Sequence, residues 1–283
     1  MFDLRYHVAS LAAVFVALLI GILVGVGMSG KVDDAEKTQL KRNVDRLEAR
    51  LEAAGAGRAN FVREQKAIRA FVNNAYPSLI ADRLRGKRIA ILFVGPVDAS
   101  VRDDIERALR DAGSGAPVRI RALKVPIDPA KVNRAFPSAS DPGDLGRKLG
   151  HELVAGGDTP AWDALTAQLV EEKAGSFRRA ADGIVVARTV KPQQEETAGL
   201  LAGFYSGLAD TEVPAIGVET SGVGESAVEP WSSAGLSTVD DIEAPAGRLA
   251  LALLLTGSTI GNYGVNESAG DGIVPPIEPL PSG

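Results

Sequence analysis

The beginning of the chain contains a long apolar run that is free of charged side chains. It extends over the 23 residues from position 8 to position 30. As a helix this run would be about 34 Å long, enough for the roughly 30 Å hydrocarbon core of a bilayer. A cleaved signal peptide is the alternative, but its apolar stretch usually covers only about 7–15 residues. We therefore predict that residues 1–30 form a single transmembrane anchor in the lipid bilayer.

Two features of the run concern its neighbours and its direction. Gly21 and Gly25 have the GxxxG spacing that lets two membrane helices approach closely, so they predict contact between two anchors. Arg5 is the one basic residue before the run, whereas five basic residues follow it within residues 31–46. The positive-inside rule would place the following domain in the cytoplasm, but large domains translocate largely regardless of such charges. The charges therefore leave the orientation open.

Apolar residues with heptad spacing follow the anchor. Leu40, Val44, Leu47 and Leu51 are separated alternately by four and three residues. This 3.5-residue repeat predicts a left-handed coiled coil. The alternative is an amphipathic helix that packs on its own domain. We favour a coiled-coil stalk over residues 31–76, ended by Asn73, Asn74 and Pro77, which joins copies of the chain into a homo-oligomer, most simply a dimer.

The rest of the chain alternates apolar strands with helices. Such alternation predicts a Rossmann-like α/β domain over residues 77–270, with a mostly parallel sheet and helices on both faces. Ser100 and Asp103 suggest a capping box that opens the first helix. The last segment, residues 271–283, contains four prolines and predicts an irregular tail. The predicted strands are residues 88–94, 118–125, 183–188, 213–218 and 236–239, and the predicted helices are residues 100–112, 143–154, 161–172, 195–208 and 246–255.

Composition argues against several classes of function. The net charge of −5 and the pI near 5.3 argue against a nucleic-acid-binding protein. The chain has no cysteine, which excludes disulfides, zinc–thiolate sites and thiol catalysis. Its two histidines are His7 and His151, so a single histidine follows the anchor and no Ser-His-Asp arrangement is indicated. We therefore predict that the protein is not an enzyme, and we predict no cofactor from these residues.

Two loops that follow predicted strands are candidate ligand loops. Gly95 and Asp98 come directly after the first strand, where ligands of doubly wound sheets bind. Gly222 and Gly224 belong to a Gly/Ser-rich segment, residues 220–226, which has no clear helix after it. Neither loop has the glycine spacing of a nucleotide-binding motif, and plain surface loops are the alternative interpretation.

Three carboxylates just before the last helix are candidate metal ligands. Asp240, Asp241 and Glu243 carry the oxygen ligands that hard cations prefer. Acidic residues at this position more often cap a helix and interact with its dipole, and we favour that interpretation.

Two segments resemble a known family. The first comprises Arg5, His7 and the apolar pattern of residues 10–27, and the second is the stretch LSTVDDIEA at residues 236–244, followed by Gly247-Arg248-Leu249. Together with the order of anchor, stalk and domain, they resemble the mycobacterial copper transport protein B family. The resemblance covers both ends of the chain and the overall plan.

The resemblance implies a copper-transport or copper-resistance protein of the cell envelope, with its domain outside the cytoplasm. Copper is implied by the resemblance alone. We expect a membrane-tethered scaffold or accessory factor in copper homeostasis, working with envelope partner proteins. The alternative is a tethered α/β domain that binds a small ligand and has no role in copper handling.

Overall fold

The computed structural model describes residues 4–28, 34–137 and 141–279. The chain divides into two compact units, Met1–Ile68 and Arg69–Gly283. Helix α1 (Leu4–Met28) and the larger part of helix α2 (Asp34–Ile80) belong to the first unit. Among the residues that the structure describes, no helix is both long enough and apolar enough to cross a membrane.

Helix α2 ends later than the sequence predicts. The expected end at Asn73, Asn74 and Pro77 is wrong, because the helix continues through Pro77 to Ile80. Pro77 lies in the last turn, where its missing N–H removes a single helical hydrogen bond. Ile80 is buried and packs in the core of the second unit, which favours continuing the helix to that point.

Within the described residues, the second unit is built around a seven-stranded sheet with the order β3-β2-β1-β4-β5-β6-β7. Every neighbouring pair is parallel except β2 and β3. The predicted mixed α/β class with a mostly parallel sheet is confirmed. The strands are β1 (Ile89–Val94), β2 (Arg119–Leu123), β3 (Val170–Gly175), β4 (Gly183–Arg188), β5 (Ala215–Val218), β6 (Ser237–Val239) and β7 (Asn262–Tyr263).

One predicted helix is wrong at its C-terminal end, where the chain forms edge strand β3. Residues 161–172 were expected to be one helix, but the helix ends at Leu169 and the chain enters β3 at Val170. Glu171, Glu172 and Lys173 are residues of moderate or high helix propensity, so the local sequence favours a helix. Antiparallel pairing with β2 overrides that local preference.

The helices of the second unit mostly follow the predicted pattern. Two short helices, at Pro129–Ala135 and Val228–Ser233, and the short strand β7 were not predicted. The helices after α2 are α3 (Ala99–Asp111), α4 (Pro129–Ala135), α5 (Pro142–Ala155), α6 (Pro160–Leu169), α7 (Glu195–Ala209), α8 (Val228–Ser233) and α9 (Pro245–Leu255).

Hydrophobic side chains cover both faces of the sheet. Along β1, Ala90, Leu92 and Val94 point into one core, which also contains residues of α5, α6, α7 and α8. Ile89, Ile91 and Phe93 point into the opposite core, which contains residues of α3 and α9. Each β1 residue is fully buried, as expected for the central strand of a parallel sheet covered on both faces.

Helices α5 and α7 form an unusually close contact through glycines. A Cβ atom at Gly203 of α7 would overlap the backbone carbonyl of Gly143, and one at Gly146 of α5 would overlap the carbonyl of Leu200. A Cβ atom at Gly150 would lie 2.5 Å from the carbonyl oxygen of Phe204. The two backbones therefore approach each other more closely than any side chain at these positions would allow.

The last described segment, which follows β7, is irregular but anchored to the second unit. Residues 271–279 contain no helix or strand. Val274 packs against the core that contains Ile89. The guanidinium of Arg83 donates a hydrogen bond to the backbone carbonyl of Glu278 at 2.6 Å.

Candidate functional site

The carboxyl ends of β1, β4 and β5 lie side by side at one edge of the sheet. The order of strands in the sheet reverses here, because β2 lies on one side of β1 and β4 lies on the other. Ligands of doubly wound folds bind in the crevice at such a switch point. The loops that leave these three strands, residues 95–98, 189–194 and 219–226, therefore form the candidate site.

Gly95 brings the first two of these loops into direct contact. Its φ of +100° lies in the region that favours glycine, and a Cβ atom there would lie 2.5 Å from Cγ1 of Val190. The hydroxyl of Thr189 donates a hydrogen bond to the carbonyl oxygen of Pro96 at 2.6 Å. The two loops are thus packed together directly above β1 and β4.

An open cleft of about 390 Å³ lies beside this contact, and we call it the polar cleft. Its walls come from the start of α3, the loop after β4 and the loop after β5. Its volume falls within the range of small-molecule sites. Among the predicted ligand-loop residues, Asp98 and Gly224 line the cleft. Gly222 lies in the same loop as Gly224, with no neighbouring atom within 4 Å of where its Cβ would be.

Asp98 is the N-cap of α3. Its carboxylate accepts hydrogen bonds from the backbone N–H groups of Ser100 and Val101, at 2.8 and 3.1 Å, and from the Ser100 hydroxyl at 2.6 Å. These bonds, that of the Ser100 hydroxyl first, lower the pKa of Asp98 below its ordinary value. The predicted capping box at Ser100 and Asp103 is therefore wrong, because the helix begins one residue earlier and uses Asp98 as its cap.

Glu219 organises the third loop from a buried position at the end of β5. Its carboxylate accepts hydrogen bonds from the Ser226 hydroxyl at 2.6 Å and from the Ala227 N–H at 2.8 Å. The loop therefore leads directly into α8, although the sequence shows no clear helix there. Sequence reasoning missed both Glu219 and α8, because a six-residue helix has too few turns to show an amphipathic pattern.

Charged side chains of both signs line the polar cleft: two cations and the carboxylates of Asp98, Glu219 and Glu225. Arg188 and Lys191 line it, and neither has a carboxylate within ion-pair distance among the residues described. The acids Asp98 and Glu219 are already engaged by the backbone groups of two helices. A ligand in the polar cleft would therefore meet charges of both signs.

The three candidate metal ligands differ in their hydrogen-bond partners. Asp240 is buried, and its carboxylate accepts a hydrogen bond from the Val265 N–H at 2.8 Å. Glu243 accepts hydrogen bonds from the backbone N–H and the hydroxyl of Ser221. In the described part of the chain, no group of three His, Cys, Asp or Glu side chains is placed to hold a metal ion.

Asp241 is the unusual member of this group. Its side chain is 2% exposed, and both carboxylate oxygens are without a hydrogen-bond partner among the described residues. Burial, followed by the nearby charges of Asp240 and Glu243, raises the pKa of Asp241 to about 7, while Arg248 opposes this rise. Asp241 therefore changes its charge near neutral pH.

The residues predicted to join copies of the chain are only partly described. Among the described residues, a Cβ atom at Gly21 would have no neighbour within 4 Å. On α2, Val44 is half-buried and Leu47 is 47% exposed. The surroundings of Gly25 and the side chains of Leu40 and Leu51 lie outside the described part of the chain.

Comparison with protein families gives a match over nearly the whole chain. Residues 1–274 match the family described as "Copper transport outer membrane protein, MctB". A comparison with curated proteins finds no match. The family description agrees with the predicted location in the cell envelope and with a role in copper transport. The chain belongs to the MctB family of copper transport outer membrane proteins.

Proposed function

We propose that this protein is a membrane-tethered accessory factor in copper homeostasis, whose α/β domain lies outside the cytoplasm. The observation that carries the proposal is the family match over residues 1–274, which includes the apolar N-terminal run as well as the domain. The charge-free stretch of residues 8–30 supports a single anchor of bilayer length. In this proposal residues 1–30 hold the domain at the membrane.

An indirect part in copper transport fits the side chains of the chain. Copper(I) prefers thiolate and thioether ligands. The sequence has no cysteine, and its methionines are Met1 and Met28. We therefore propose that the protein acts through envelope partner proteins or through another ligand, and that copper is the cargo of the pathway.

Copper accumulation in a deletion strain tests this function. We expect cells without the protein to show altered copper content and lower copper resistance, both restored by the full-length chain. A version whose residues 1–30 are replaced by an unrelated single-span anchor should also restore resistance, because the anchor acts as a tether. A version released from the membrane by a cleaved signal peptide should not.

Wild-type copper content and resistance in the deletion strain would contradict the copper role. Full restoration by the released version would contradict the requirement for a membrane tether and leave the copper role standing. An alkaline phosphatase fused after the C-terminus should be active, and an inactive fusion of a stable protein would reverse the proposed orientation.

We further propose that the tethered protein forms a parallel homodimer through α2. Leu40, Val44, Leu47 and Leu51 would supply the seam, and each buried Leu or Val side chain contributes about 1.5–3 kcal/mol. Farther along the same heptad pattern, Phe61 is 59% exposed. A bilayer would also confine the copies and raise their effective concentration.

Charged residues in this seam should abolish cross-linking between copies. We expect the wild-type protein to cross-link as a dimer in membranes, and the double variant Leu47→Glu, Leu51→Glu to remain monomeric, because two carboxylates would be buried in the interface. Val62→Glu is the matched control, since Val62 is exposed on α2 but lies off the heptad positions. A wild-type protein that is monomeric in membranes would contradict the dimer.

A second candidate function is small-ligand binding by the α/β domain, and the polar cleft favours it. The cleft occupies the position where doubly wound folds bind ligands, and its two cations are without carboxylate partners among the described residues. In this alternative the domain has no role in copper handling.

A further inference from the structure

A second cleft lies next to the polar cleft, and we call it the apolar cleft. It has a volume of about 360 Å³ and lies between α7 and α8. Leu201, Ala202 and Tyr205 of α7 form one wall, and Pro230 and Ala234 form the other. A concave, mostly apolar site of this size with a few polar groups is the usual form of a small-molecule pocket.

Arg188 provides the charge of the apolar cleft. It lies at the end of β4 and lines both clefts. Its guanidinium donates a hydrogen bond to the backbone carbonyl of Glu225, and no carboxylate of the described chain lies within ion-pair distance. The residues that line the apolar cleft, all within the described part, include no Asp or Glu. A guanidinium has five N–H donors in a planar fork, so most of its donors remain available to a ligand.

These features select one chemical class. A monoanionic carboxylate matches the single fork of Arg188 in charge and in bidentate geometry. An apolar body matches the walls formed by Leu201, Ala202 and Pro230. An amine would meet a like charge at Arg188, and an alcohol would leave the charge of the guanidinium without a partner.

We propose that the apolar cleft binds a small carboxylic acid with an apolar body, its carboxylate on Arg188 and its body between α7 and α8. The inference rests on the second candidate function, small-ligand binding, and names the ligand class and the cleft. It does not depend on the role in copper homeostasis.

Calorimetric titration of the full-length protein in lipid nanodiscs tests the proposal. The probe is 3-phenylpropionate, compared with 3-phenylpropylamine and 3-phenylpropanol, which keep the same body and change only the head group. We expect the acid to bind at least about tenfold more tightly than either analogue, since hydrogen bonds to charged groups are the stronger ones. Arg188→Gln should weaken binding of the acid by about tenfold or more.

Two further variants locate the ligand. Ala202→Phe should remove binding, because Ala202 is exposed on α7 and a larger side chain there would fill the cleft without disturbing the core. Arg178→Gln removes the same charge from an exposed position outside both clefts and should leave the affinity unchanged. Thermal unfolding of each variant in parallel shows whether it is folded.

The other outcomes overturn the proposal in distinguishable ways. If Lys191→Gln weakens the acid as strongly as Arg188→Gln while Ala202→Phe has no effect, the acid occupies the polar cleft. If the amine or the alcohol binds as tightly as the acid, the ligand class is wrong and small-ligand binding stands. If none of the three probes binds, the inference fails, whereas ligand binding in the polar cleft and the copper role are unaffected.

Discussion

Replacing Gly203 with alanine is expected to lower the free energy of unfolding by at least about 3 kcal/mol, the upper end of the usual cost of overpacking. The new methyl group would overlap the backbone carbonyl of Gly143 on α5. A flexible side chain could rotate away from such a clash, but a backbone carbonyl inside a helix cannot. Helices α5 and α7 would have to separate and lose packing along their whole contact. Denaturant unfolding of the full-length protein measures the change.

Gly199 provides the matched control, because it lies one turn earlier on α7. A Cβ atom there would have its nearest neighbour, Cβ of Pro142, at 4.0 Å, which is an ordinary contact distance. Gly199→Ala should therefore be neutral or stabilising by up to about 1 kcal/mol, the difference in helix propensity between the two residues. Equal effects of the two substitutions would show that the close α5–α7 contact does not exist in solution.

Replacing Asp241 with asparagine is expected to remove a large part of the pH dependence of stability. The pKa of Asp241 is about 7 in the folded protein and 3.8 in the reference state, so between these values the folded chain holds a proton that the unfolded chain has lost. Stability therefore falls as the pH rises through this window. The difference corresponds to roughly 4 kcal/mol at 1.36 kcal/mol per pKa unit. The stability that the protonated Asp241 contributes is lost at pH 8 and retained at pH 4.

Unfolding curves at several pH values between 4 and 8 measure this effect. Asp241→Asn keeps the shape of the side chain without its ionisation, so the gain in stability over wild type should grow steadily toward pH 8. Asp158→Asn makes the same change in an exposed loop and should leave the wild-type profile intact. A difference between wild type and Asp241→Asn that stays constant with pH would contradict the raised pKa.

Much of the sheet could be predicted because its strands are continuously apolar. The runs at residues 88–94 and 183–188 both form central strands, since only a sheet covered on both faces can bury nearly every residue of such a segment. Strand β3 could not be recognised in the same way. Its residues from Glu171 to Lys173 are exposed at the sheet edge, so no apolar pattern distinguishes them from a helix.

The candidate site was predicted less completely than the sheet. Loop position alone indicated Asp98 and Gly224, because residues that follow parallel strands meet at one edge of the sheet. Arg188 and Lys191 belong to no sequence motif. Whether they are free to bind a ligand depends on which carboxylates lie near them in three dimensions. The unpartnered carboxylate of Asp241 likewise depends on burial by α9, which the pair Asp240-Asp241 does not reveal.

The two edges of the sheet have consequences for aggregation when many copies are crowded together. An edge strand offers unpaired N–H and C=O groups to any other edge that approaches it. At one edge, β3 presents the exposed charges of Glu171, Glu172 and Lys173, and at the other, β7 is only two residues long. Short or charged edges are the usual protection against strand-to-strand growth. Neighbouring copies can therefore accumulate at high density without their sheets joining into fibrils.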